Sequence, residues 1–561
     1  MPLDDTVQAQ IRAVSIPREN AWDSDYSRKT LLFILLLAFA LRLGWMLYDS
    51  RAIENEGAEY ARIAQNLLQG NGYKGILGGR EAILPPLYPF LIAATSFVSR
   101  DMEIAGRLIS IVSGSLLVLP VFFISERLFG SRAAFLAATL IALHPVLVVL
   151  SASVYVEATY LTLLFAGLYF GIRVLDFDHP REAVFAGLLL GLAYLARPEA
   201  LGYSVLIGLF VLCALFFRWV SIATAFKYGA ILAITTIVLV IPYATYLTKQ
   251  SGTFRLEGKS GLNGIINRRM NRGMSYQEAA YGLGSNLEAE GPYLTADQFS
   301  IKAPSTSSEI GATVHSYFHG IAGRFAYIVI AVGAERGFGS PLICLLVLVG
   351  LFRPKWCERK WLQEGLLLSA AGLTVIILLS LRFVWGRYLY PFLPFLVLWA
   401  AAGIIACADW GSRWVEDRNA SALRIAAVVA LAGVLLGLAW AGLRRDGDLA
   451  ESRKSYLRAA GLWLNHYKAG RKDLMAIGST LPYYANATEL YLPYADSSGA
   501  LAYIHLRRPD FILLQADELE ARPYLREWFV HGVPDVCAKP IQHTEGPILQ
   551  QIEIYEWTCS N

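Results

Sequence analysis

Glu56 and Glu59 stand one helical turn apart in Arg51-Ala-Ile-Glu-Asn-Glu-Gly-Ala-Glu-Tyr60, a polar segment that follows the first long apolar run. On a helix their carboxylates occupy neighbouring positions of one face. One carboxylate beside a lipid interface, accepting a hydrogen bond from an incoming hydroxyl, is what a group transfer without a protein nucleophile requires. The same spacing also suits a plain helix start, where acidic side chains complement the dipole and face water. Glu54 lies just before the pair, so the segment alone leaves the choice of base open.

An anionic leaving group needs fixed positive charge, and the planar guanidinium grips phosphate oxygens in pairs. Arg197, Arg382 and Arg387 all stand at ends of apolar runs, on the side where a bias toward cytoplasmic cations disfavours them. Either they serve a ligand, or they snorkel to headgroups or pair with Glu157 and Glu199. Lys259, Arg268, Arg269 and Arg272 lie among Gly and Asn in a long polar loop, which can close over a phosphate or be a solvated basic loop. Glu157, near the end of its apolar run, needs a partner there. His315 and His319 share the i, i+4 spacing of metal ligands but lack a third, so no metal ligands are assigned and a divalent ion stays open as a cofactor. His144 precedes Pro145 and reads as a packed or kink-associated residue. Cys213, Cys344 and Cys407 fall in apolar stretches and Cys357 in a basic loop, whereas Cys537 and Cys559 can pair if their compartment is oxidising.

These groups must be held by elements in lipid. Of 561 residues, 55% are hydrophobic and 17% charged, too few polar residues to clothe a soluble protein of this length. The net charge of +4 is dispersed, so nucleic acid is a poor partner. Apolar runs from Leu31 to Leu443 give about eleven transmembrane helices. The stretch from Ala183 to Phe217 divides into two at Arg197-Pro198-Glu199. Pro85 to Val98 is too short to cross and is expected to be re-entrant or interfacial. The polar stretch before Leu31 makes the first helix its own insertion signal.

Lys and Arg alternate between connections, placing segment 1–30 in the cytoplasm and the outer loops 49–103 and 248–336 on the opposite face of a transmembrane domain spanning 31–443. Residues 444–561 share that face. Their helical patterns alternate with short apolar runs such as Phe511 to Leu514, which predicts a small soluble α/β domain. A secondary transporter fits less well, because no repeat is visible and the charges collect at one face instead of the midplane.

The order Glu56-Gly-Ala-Glu-Tyr60, Gly-Tyr73, Pro85-Pro-Leu-Tyr-Pro89, Ala105-Gly-Arg107, Leu128-Phe-Gly130, Tyr155-Val-Glu157, Leu195-Ala-Arg-Pro-Glu199 and Arg387-Tyr388-Leu-Tyr-Pro391 resembles the polyprenyl-phosphate-dependent GT-C glycosyltransferases. Within them it is similar to the bacterial protein-mannosyltransferase-like branch and the lipid A aminoarabinose transferases. The resemblance runs roughly from Leu31 to Ala408 and implies a multi-pass plasma (inner) membrane enzyme with its site facing the periplasm or exterior. It implies an inverting transfer from a polyprenyl-phosphate sugar, undecaprenyl in a bacterium, to a lipid, glycan or protein hydroxyl. Glu56 would be the general base, one methylene longer than the family's usual Asp and followed by Gly57 where Glu is common. Arg387, Arg197, Arg382 and Lys259 would hold the donor phosphate, with Glu59, Tyr60, Glu157 and Tyr88 orienting sugar or acceptor. The C-terminal domain would recognise the acceptor. A non-catalytic scaffold, or a ligase taking a pyrophosphate-linked donor, would share these landmarks.

Overall fold

The structure, a computed structural model, describes residues 25–49, 51–284, 286–296, 299, 320–334, 340–353, 360–380, 386–414, 420–445, 454–544, 547 and 550–559. Arg382, His315, His319 and Cys357 lie outside the described residues.

A long first helix, α1 (Asp25–Tyr48), leads into α2 (Asn55–Leu68) and α3 (Leu87–Ser99), which lie in the first polar loop. The bundle continues through α4 (Met102–Leu116), α5 (Val118–Phe129), α6 (Ser131–Leu143), α7 (Pro145–Ser151), α8 (Glu157–Val174), α9 (Arg181–Ala196), α10 (Ala200–Phe216) and α11 (Ile222–Ser251). The second polar loop holds α12 (Lys259–Asn271) and α13 (Tyr276–Tyr281); α14 (Ile321–Ala334), α15 (Ser340–Leu351), α16 (Lys360–Ser380), a 3₁₀ turn (Gly386–Phe392), α17 (Leu393–Gly411) and α18 (Ala420–Arg445) complete the apolar part. The expected break at Arg197-Pro198-Glu199 separates α9 from α10. Among the described residues six helices are long and apolar enough to cross a bilayer, or seven with α6 and α7 taken as one span bent by 54°. The eleven expected exceed this because elements such as α8 and α9 are shorter or more polar. Their buried faces pack on protein, where a helix escapes the full length and apolarity that lipid demands.

The bend shows how the bundle repays a broken helix. Pro145 has no N–H for the Ile141 carbonyl. Arg42 of α1, fully buried, supplies the missing donor: its guanidinium reaches the carbonyls of Ile141 and Ala142 at 3.2 Å each, and that of Ala38 at 3.0 Å.

The C-terminal domain, α19 (Ser455–Tyr467), β1 (Lys472–Ala476), α20 (Thr480–Tyr484), β2 (Ala487–Tyr491), α21 (Ser497–Arg507), β3 (Phe511–Gln515), α22 (Leu525–His531), β4 (Ala538–His543) and β5 (Ile552–Trp557), forms a sheet of order β2-β1-β3-β5-β4. Strands β1, β2 and β3 run parallel, and β5 is antiparallel between β3 and β4. The apolar run Phe511-Ile-Leu-Leu514 is buried on both faces, as a central strand between helices requires. Ile512 and Leu514 meet Tyr503 and Trp528 on one side; Phe511 and Leu513 meet Leu457 and Leu464 on the other. Cys537 and Cys559 are joined by a disulfide.

The edge strand β2 is covered by the loops of the bundle. Glu489 N–H donates to the Ile76 carbonyl at 3.0 Å, and beyond the strand Tyr494 N–H donates to Tyr281 at 2.8 Å. Both polar loops and the C-terminal domain therefore meet at one end of the bundle.

Candidate active site

Helix α2 begins at Asn55, directly after Glu54. Glu54 takes the cap position without a side-chain capping bond, because its carboxylate accepts the Tyr155 hydroxyl. Asn55 instead offers its side-chain oxygen to Ser479 N–H at 3.0 Å. At the far end Gly70 and Gly72, both at positive φ, turn the chain away. Gly57 explains how α2 comes so close to the bundle: a Cβ there would stand 2.7 Å from the Val154 carbonyl oxygen, just before α8. A second close approach ties the loops together, since a Cβ on Gly258 would overlap the Ala82 carbonyl at 1.6 Å. That contact sets the start of α12 and with it Lys259.

These placements gather three cations round one carboxylate. Arg387 Nη2 donates to Glu56 Oε1 at 2.6 Å, with the two side chains 29% and 25% exposed, so the pair is open to a ligand. Arg387 lies over the Tyr388 ring at 5.4 Å and the Tyr155 ring at 5.9 Å. Lys259 Nζ and the Arg197 guanidinium both stand 5.9 Å from the centre of the Tyr388 ring. Arg197 also contacts Glu199 at 3.0 Å and Glu157 at 3.7 Å. Glu157 is buried, and its second oxygen has no hydrogen-bond partner among the described residues. Tyr388 and Tyr155 were passed over by sequence reasoning as mere landmarks; their adjacency to Arg387 and Glu157 in the chain was the available signal.

The two glutamates of the pair differ. Burial alone would raise the Glu56 carboxyl, but Arg387, Lys259 and Arg197 outweigh it and hold the group below its ordinary value. Burial pushes Glu59 well up, and the neighbouring carboxylates Glu81, Glu489 and Glu56 push further against Lys259. Glu489, on β2, is itself pushed up to about 7 by burial, opposed by the hydrogen bond from Ser479.

Other expected residues fall elsewhere. Tyr88 is fully buried with its hydroxyl committed to Ser110 at 2.7 Å and the Gly106 carbonyl at 3.1 Å, and Tyr60 packs edge-on against it at 5.1 Å. Tyr88 thus sits in the core with no free polar edge for a sugar, whereas the Tyr60 hydroxyl lies in the field of Glu56, Glu157, Arg197 and Arg387. Arg269 pairs with Glu290 at 3.1 Å beside the C-terminal domain, whereas Lys259 stands at the cluster. His144 and Pro145 mark the bend. For a metal, Glu56 and Glu157 are each engaged by an arginine, so the residues as placed do not fit a divalent ion. His505, Asp535 and Cys537 lie close enough to hold one, but the disulfide removes the thiolate.

Residues 84–246 match the family described as dolichyl-phosphate-mannose-protein mannosyltransferase. No curated protein matches the chain by sequence. Among solved structures, the oligosaccharyltransferase AglB from Archaeoglobus fulgidus, in complex with an inhibitory peptide and a dolichol-phosphate, superposes with a TM-score of 0.58 at 14% identity, covering 88% of this chain and 70% of that one. ArnT from Cupriavidus metallidurans bound to undecaprenyl phosphate gives 0.54 at 13% identity, covering 96% of this chain and 99% of that one. At these identities the likeness is one of architecture, and it is unambiguous: the chain is a polytopic helical membrane protein of the GT-C fold with a small C-terminal sheet domain.

Proposed function

We propose that the protein is a membrane glycosyltransferase that moves a sugar from a polyprenyl-phosphate donor to a hydroxyl acceptor, with Glu56 as general base. The observation that carries this reading is the Glu56–Arg387 pair at 2.6 Å, with Lys259 and Arg197 beside it around Tyr388. Cations hold Glu56 below its ordinary value and so favour its ionised, proton-accepting form, whereas burial and neighbouring carboxylates push Glu59 the other way. That difference favours Glu56 over its neighbour.

In the reaction the acceptor oxygen forms a bond to the anomeric carbon as the bond from that carbon to the phosphate oxygen breaks. The acceptor proton goes to Glu56, and polyprenyl phosphate leaves with the bonding electrons. In-line attack inverts the anomeric centre. Arg387, Arg197 and Lys259 stabilise the charge that grows on the leaving phosphate, and the bundle holds the two reactants in line. Glu157 keeps Arg197 oriented. The donor class is supported by the match over residues 84–246 and by the dolichol-phosphate and undecaprenyl phosphate in the two similar structures. The acceptor is a lipid, glycan or protein on the same face. A location in the plasma membrane with this face outward is supported by the charge alternation of the loops and by the Cys537–Cys559 disulfide, which suits an oxidising compartment.

The test is turnover of undecaprenyl-phosphate-linked sugars by purified protein. Glu56→Gln keeps the shape and removes the base, and transfer should fall by roughly 10²–10⁴-fold. Unchanged turnover in that variant sinks the assignment.

A further inference from the structure

The residues that hold the start of α2 come from two directions, and one of them is the C-terminal domain. Below the helix, Arg107 of α4 donates to the Arg51 carbonyl at 2.6 Å and to Glu103 at 2.8 Å. Above it, Tyr484 at the end of α20 reaches into the same place. Its hydroxyl accepts Ile53 N–H at 2.9 Å and donates to the other Glu103 oxygen at 2.7 Å. Thr480, on the first turn of α20, donates to the Ile53 carbonyl at 3.1 Å. Both backbone groups of Ile53 are thus held by α20, three residues before Glu56.

The contact continues along the helix. Asn55 accepts from Ser479 N–H, and Arg62 crosses back to the domain: it donates to Asn486 at 2.8 Å and to the carbonyls of Tyr483, Pro482 and Ala487 at 3.3–3.4 Å. Those carbonyls lie in the last turn of α20 and at the start of β2. Thr480, Arg62, Glu103 and Tyr484 are all buried, so each bond is made where water cannot replace it. On the opposite side, Gly57 against Val154 leaves α2 no room to withdraw inward.

We propose that the C-terminal domain is a clamp on the catalytic helix, with Tyr484 and Thr480 as positioning residues that fix the start of α2 so that the Glu56 carboxylate meets Arg387. This rests on the reading of Glu56 as the base. It differs from acceptor recognition, because a clamp acts on turnover and a recognition surface acts on acceptor affinity. The physical reason is reach. An error of about 1 Å in a reacting group costs on the order of 10²-fold in rate, and a helix start held at both Ile53 backbone groups has little freedom to make one.

Two measurements on the detergent-solubilised full chain test it. The first, hydrogen exchange by mass spectrometry, needs no substrate. Tyr484→Phe and Thr480→Val should raise exchange over residues 53–58 by about tenfold, and Thr480→Ser, which restores the hydroxyl, should return it close to the parent. Tyr467→Phe, on the exposed far side of the same domain, should change nothing there. Strands β1 and β3 should stay protected in all four, reporting an intact domain. The second is turnover of an undecaprenyl-phosphate-linked sugar that the parent chain consumes: kcat should fall at least tenfold in Tyr484→Phe and Thr480→Val and recover in Thr480→Ser, with KM for donor and acceptor within twofold. The acid limb of kcat should also move to higher pH in the two weakened variants, as Glu56 separates from Arg387. Unchanged exchange over 53–58 overturns the clamp, and so does faster exchange with unchanged kcat, or a raised acceptor KM at constant kcat. A parent chain that consumes no such donor, with clamp-like exchange intact, instead overturns the reading of Glu56 beneath it.

Discussion

Glu56 and Arg387 are separated by 331 positions and meet at 2.6 Å, and the balance of charge at that contact sets the pH at which the carboxylate can take a proton. With three cations near it the group lies below an ordinary glutamate, so the acid limb of kcat should lie below that range. Replacing Arg387 with Met removes the largest opposing charge and leaves burial in command. The carboxyl then rises, the base form is lost at a higher pH, and the acid limb moves upward. A pH–rate profile that shows no movement, or movement downward, contradicts this. The helix-start spacing offered Glu56 only beside Glu54 and Glu59, with the family resemblance singling it out, and Arg387 drew notice through its out-of-place charge at the end of an apolar run. What was not legible was which neighbours are packing: Tyr88 looks like a binding tyrosine until its hydroxyl is placed on Ser110 and Gly106, since nothing in spacing says which side of α3 faces the bundle core.

At the scale of elements, α2 is bonded from outside by α20 and packed closely on the segment just before α8. Gly57→Ala forces its Cβ to 2.7 Å from the Val154 carbonyl oxygen, so α2 must shift outward. Overpacking of this kind costs about 1–3 kcal/mol. Transfer should drop more than binding of undecaprenyl phosphate, a comparison that lipid-binding and turnover measurements on one preparation can make. The bend at His144-Pro145 offers a separate check. Arg42→Met leaves the carbonyls of Ile141 and Ala142 without their donor, and the unmade bonds should cost roughly 1–3 kcal/mol, read as a lowered thermal midpoint. Proline and histidine announced the bend in the sequence, but the arginine that compensates it did not stand out, because a single cation inside an apolar run reads equally as a snorkelling side chain. The same limit applies to counting spans. Hydropathy reports contact with lipid, and α8 and α9 turn much of their surface to other helices.

For the molecule as a whole, the fold class and the alternation of apolar bundle and C-terminal α/β domain were legible, because composition and periodicity determine both. The contacts of that domain with α2 were not, because Tyr484, Thr480 and Arg62 are residues ordinary in type and far away in sequence. The disulfide closes a span of 22 residues that includes β4 and β5. Reducing it should lower the stability of the domain by roughly 2–4 kcal/mol, seen as faster hydrogen exchange in β3 to β5 before any change in the bundle. If the domain serves as a clamp, turnover should weaken under the same conditions.

The bond between Ile53 and Tyr484 spans 431 positions. At about 5–20 residues per second of synthesis, roughly 20–90 s separate the emergence of one partner from that of the other. Throughout that interval the first polar loop is already in place without the side chains that steady it. A ribosome-bound chain therefore carries both halves of the Glu56–Arg387 pair well before it carries α20, and under the proposed clamp competence for transfer arrives late, with translation of the region beyond residue 484.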